Sequence, residues 1–71
     1  MYEKTRAAQL QRMYGKSFKV LRVFRIEDIE IVKLQDCRTR FNDIYYTDDS
    51  TSHLHVTVTQ ALQSAINAHN R

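Results

Sequence analysis

Ser17-Phe18-Lys19-Val20-Leu21-Arg22-Val23-Phe24-Arg25-Ile26, followed after Glu27-Asp28 by Ile29-Glu30-Ile31-Val32-Lys33-Leu34-Gln35, is the stretch on which the fold turns. Both segments are rich in β-branched and aromatic side chains, which suit a pleated, half-buried surface. In the first, Phe18, Val20, Phe24 and Ile26 share one face, interrupted by Arg22, while Leu21 and Val23 face the other way. Two partly apolar faces predict a central strand or a bulge near Val20-Leu21. The second segment also slips in phase, from Ile29 and Ile31 to Val32 and Leu34. Residues 27–37 match helical spacing too, and β-branching favours the strand. Glu27-Asp28 is the turn between them.

Upstream, residues 2–14 predict a helix of good helix formers with a narrow apolar stripe, ended by Gly15 at the left-handed C′ position. Downstream, Asp36-Cys37 is a short turn. Residues 38–46 predict a third strand, with Phe41 and Tyr45 on one face. Thr47 to Ser52 is polar loop. His53-Leu54-His55-Val56-Thr57-Val58 alternates, which predicts Leu54, Val56 and Val58 inward and His53, His55 and Thr57 outward. A helix over about residues 59–70 carries a stripe of Ala61, Leu62, Ala65, Ile66 and His69, with Thr57 or Thr59 as its cap. The expected architecture is one α+β domain over residues 1–71. It has an N-terminal helix, a three- to four-stranded antiparallel meander and a C-terminal helix, with both helices on one face of the sheet.

The chain has 71 residues, a formal net charge of +3, one cysteine, one glycine and no proline. Apolar burial of about 110 kcal/mol nearly cancels an ordering cost of about 105 kcal/mol. So thin a margin favours help from a second copy or a partner. No apolar run approaches the roughly 20 residues that span a bilayer, so no membrane partner is expected. The first six residues carry no apolar signal core, and Cys37 has no disulfide mate, so the expectation is a cytoplasmic protein. With Gly15 alone, glycine-rich phosphate loops are excluded.

Charge divides the chain. Residues 1–25 hold seven basic side chains and one acid, whereas residues 26–71 hold four basic and seven acidic ones. The basic set Lys16, Lys19, Arg22 and Arg25, joined by Arg38 and Arg40, is a candidate phosphate-binding face for DNA or RNA. On an unbroken strand, however, Lys19 and Arg25 project opposite to Arg22. From Ser50 to Asn70 there is no Asp, Glu, Lys or Arg. A helix with so uncharged a polar face suits close packing on another surface, which marks Gln60, Gln63, Ser64 and Asn67, with Tyr45 and Tyr46, as candidate partner-binding residues.

His53 and His55, two apart on a strand, would share a face and are the weak metal candidates; His69, Cys37, Asp48 and Asp49 are the remaining ligand types nearby. No nucleophile–base motif stands out, so neither an enzyme nor a cofactor is expected. The leading expectation is a non-catalytic module, a regulator or inhibitor that self-associates and docks on a larger macromolecule, of a size that fits a phage or mobile element. The alternative is a nucleic-acid-binding regulator.

Overall fold

The computed structural model describes residues 2–48, 50–51 and 53–70. The elements run α1 (Tyr2–Tyr14), β1 (Phe18–Ile26), β2 (Ile29–Asp36), β3 (Ile44–Thr47) and α2 (Val58–His69). The strands form an antiparallel meander in the order β1-β2-β3, so β2 is central. The α+β order of helix, meander and helix is thus the one expected. A radius of gyration of 11.8 Å, against about 11 Å for a compact chain of this length, makes it a compact globule.

Within β2, Ile31 and Val32 are consecutive and both fully buried. Consecutive strand residues point to opposite faces, so both faces of β2 are covered. On the Val32 face, Leu10 of α1 packs with Val23, Val32 and Leu34, flanked by Ala7, Tyr14, Phe18 and Val20. Arg6 of α1 reaches the same face, its Nε donating to Glu30 at 3.0 Å. The second helix packs on β2 and β3 and contributes nothing to that cluster. Its buried Ala61 and Ala65 lie over the Ile31 face, where Ile66 and Ile29 line one cavity. The helices therefore take opposite faces of the sheet, not one face. The narrow stripe of α1 covers only one layer, and Ile31 requires the other.

The expected bulge is present. The register shifts between Val20 and Arg22, leaving Leu21 out of the pairing. This reverses the phase of β1. Phe18, Val20 and Val23 join the α1 core, whereas Phe24 and Ile26 turn to the Ile31 side with their partners Ile31 and Ile29. The four residues expected on one face are split two and two. Gln11 secures the start of the β1 edge: its Nε2 donates to the carbonyls of Phe18 and Gly15 at 2.8 and 2.9 Å, and its Oε1 accepts from Val20 N–H at 2.8 Å. Gly15 ends α1 at φ 68°, donating to Gln11 O at 3.0 Å.

Two expected strands shrink. Residues 38–43 form a turn, and β3 starts only at Ile44. The cause is Asp36, whose Oδ1 accepts from the backbone N–H and Nε of Arg38 at 2.9 and 3.1 Å, while Oδ2 accepts from Nη2 at 3.1 Å. Thr39 and the left-handed Asn42 (φ 51°) complete the turn. Phe41, expected beside Tyr45 in a strand, is 81% exposed. Residues 53–58 make only one bridge, His55 with Tyr46, through backbone bonds of 2.7 and 2.8 Å. Thr57 caps α2, its Oγ1 accepting from Gln60 N–H at 3.1 Å, so the chain leaves the sheet there. The expected alternation fails over 54–56, where Leu54 and Val56 are 40% and 64% exposed and His55 Nε2 is buried; His53 and Thr57 are exposed and Val58 half-buried, as expected.

Opposite-face packing has a measurable consequence. Leu10→Ala costs about 2–5 kcal/mol and the milder Ile31→Val about 0.5–1.5 kcal/mol in denaturant unfolding. Lacking shared partners, they add within about 0.5 kcal/mol in the double variant. A coupling well above that would place them in one core.

Candidate functional site

The uncharged face of α2 is where expected partner-binding residues meet. Gln60, Gln63, Ser64 and Asn67 fall at helical i, i+3, i+4 and i+7 positions, beside the face that buries Ala61 and Ala65. With Thr51, His53 and Ala68 they line a shallow groove of about 460 Å³. Gln63 Nε2 donates to Asn67 Oδ1 at 3.0 Å, which fixes two of the amides along the groove wall. Tyr45 and Tyr46 are not in this groove. They are consecutive on β3 and pair with Leu34 and Lys33, so they point to opposite faces of the sheet. Both are half-buried.

The basic set is divided by the fold. Lys16, Lys19, Arg38 and Arg40 gather at the end of the sheet where Cys37 N–H donates to Ser17 O at 2.9 Å. There Arg38 lies over the Phe18 ring at 4.6 Å and Arg40 over the exposed Phe41 ring at 5.9 Å. After the bulge, Arg22 shares the face of Lys19 rather than opposing it, and pairs with Glu3 at 3.4 Å. Arg25 sits at the far end of β1, where its Nη2 donates to Asp28 O at 3.4 Å. A single face holding all six cations is therefore not formed.

A second groove, of about 330 Å³, escaped sequence reading because its lining comes from α1, the β1–β2 hairpin, the loop after β3 and the end of α2. It gathers Arg6, Arg25, Asp28, Glu30, Asp48 and His69. Arg6 is engaged with Glu30, and the buried Asp48 accepts from Ser50 Oγ at 2.6 Å. No nucleophile–base hydrogen bond occurs in either groove among the described residues, Ser64 and His53 included.

The His53 and His55 rings stand 6.5 Å apart, centroid to centroid. Among the described residues no third His, Cys, Asp or Glu completes a metal-binding group with them. Asp49 lies outside the described residues. No described helix is long and apolar enough to cross a membrane. Comparison with protein-family models, curated proteins and solved structures finds no match to this chain.

Arg38 holds the Asp36 carboxyl below its ordinary value of 3.8, chiefly through the side-chain hydrogen bond and then through the backbone bond and charge attraction, against a burial effect of opposite sign. A lowered carboxyl stabilises the fold above the ordinary value and loses that contribution as pH falls through the lowered one. Asp36→Asn therefore lowers the melting temperature at pH 7. The gap to the parent protein closes in acid below 3.8. An unchanged gap across that range would contradict the role given to this ion pair.

Proposed function

We propose that this protein is a non-catalytic binding module, a small regulator or inhibitor that self-associates and docks on a larger macromolecule through the uncharged face of α2. The observation that carries the reading is the convergence of Gln60, Gln63, Ser64 and Asn67 on one groove. Amide and hydroxyl side chains of this kind form directional hydrogen bonds at little desolvation cost compared with charges. The groove is shallow and has no nucleophile–base contact among the described residues, which suits gripping a surface better than enclosing a substrate. The working compartment in this reading is the cytoplasm.

A photo-crosslinking residue placed at Gln63 or Asn67 tests it. The reading predicts a discrete adduct, competed away by the parent protein and missing when the crosslinker sits at exposed Gln9 of α1. Equal adducts at all three positions would contradict it.

One observation favours nucleic-acid binding as a second reading. Phe41 is exposed on a turn held by Asp36, with Arg40 over its ring and Arg38 on the same turn. An exposed ring beside cations is a stacking platform for an unpaired base. Under that reading, single-stranded nucleic acid is retained at low salt and released steeply as salt rises. Phe41→Ala weakens binding by about 1–3 kcal/mol. No retention at low salt removes this reading and leaves the first untouched.

A further inference from the structure

We propose that the chain forms a two-fold homodimer through the segment 53–57, with Leu54 of one copy set against Val56 of the other. This deepens the self-association in the reading above by naming its surface. His55 exchanges both backbone bonds with Tyr46. In an antiparallel pair the residues on either side of such a position turn their N–H and C=O groups the other way. Antiparallel geometry continued through this bridge faces the amides of Leu54 and Val56 outward from β3, along an edge that no described strand covers, before the chain bends at Val56-Thr57 into α2.

The side chains agree with the backbone. Leu54 and Val56 are apolar and exposed, whereas the polar His55 is turned inward with Nε2 buried and without a hydrogen-bond partner among the described residues. That is the reverse of what an edge facing water requires. Sheet edges that stay single are guarded by charge. The other edge of this sheet is guarded: β1 carries Lys19, Arg22 and Arg25, and Gln11 occupies its first backbone groups. The 53–57 edge lies in the stretch from Ser50 to Asn70, which has no Asp, Glu, Lys or Arg.

Charge also selects the occupant. Two β1 edges would set cation against cation. A β1 edge against 53–57 is head-to-tail and does not close. Only 53–57 against itself is closed, free of like-charge repulsion and apolar on apolar. A two-fold axis at His55 places Leu54 opposite Val56 twice and brings the two His55 rings side by side.

Sedimentation velocity on the full chain at micromolar concentration tests the proposal, with circular dichroism as the check on folding. The parent protein is expected to sediment as a dimer. Val56→Lys and Leu54→Glu, each alone, weaken it about a hundredfold or more, because a charge must be desolvated at the contact. An equimolar mixture of the two variants regains dimer, since one contact becomes Lys–Glu and the other stays Leu–Val. Met13→Lys, at an exposed apolar residue elsewhere, leaves the dimer intact. A folded variant pair that dimerises as the parent does overturns this edge but not self-association. A monomeric parent overturns both.

Discussion

Burial of Ile31 beside Val32 is the constraint from which the architecture follows. Adjacent strand residues cannot share a face, so a central strand with both fully buried must be covered twice. A short chain has few ways to do that. Here α1 covers the Val32 face through Leu10, and α2 covers the Ile31 face with two alanines that permit close approach. Each layer is one helix deep. The interior is a pair of thin cores sharing one strand.

That economy shapes what remains outside. An alanine-lined contact brings the α2 backbone near the sheet and leaves its other side free, where the amides of Gln60, Gln63 and Asn67 meet Ser64. The charge of the molecule is carried elsewhere. Arg6 and Glu30 tie α1 to the hairpin end, and Asp36 with Arg38 ties the turn before β3. The two sheet edges consequently differ in kind: β1 is basic and partly occupied by the Gln11 amide, while the 53–57 segment has no Asp, Glu, Lys or Arg and exposes Leu54 and Val56.

Local chemistry was legible in the residues, and competition between distant groups was not. Gly15, the bulge at Leu21, the hairpin at Glu27-Asp28 and the cap at Thr57 all act within a few residues, and each is where its side-chain type suggests. The β-branched run over 29–35 is a strand despite its helical spacing, because packing on two faces outweighs periodicity. The reading of 38–46 failed because one carboxylate, Asp36, claims the Arg38 backbone and guanidinium and folds the chain away from the sheet. The clean alternation of 53–58 misled for a similar reason. Its end belongs to the helix cap, and its inward position is taken by His55. The placement of the helices depended on the phase of β2 relative to two remote stripes, which periodicity alone does not reveal. The uncharged face of α2 was legible from composition, whereas its meeting with Thr51 and His53 required the fold.

Native-state hydrogen exchange resolved by residue tests the doubly covered strand most directly. The account predicts that the amides of Val32 and its β2 neighbours exchange only through global unfolding, while α1 and α2 each open separately at lower free energy. Helix amides that exchange as slowly as β2, in one cooperative unit, would contradict it, as would a β2 that exchanges faster than either helix.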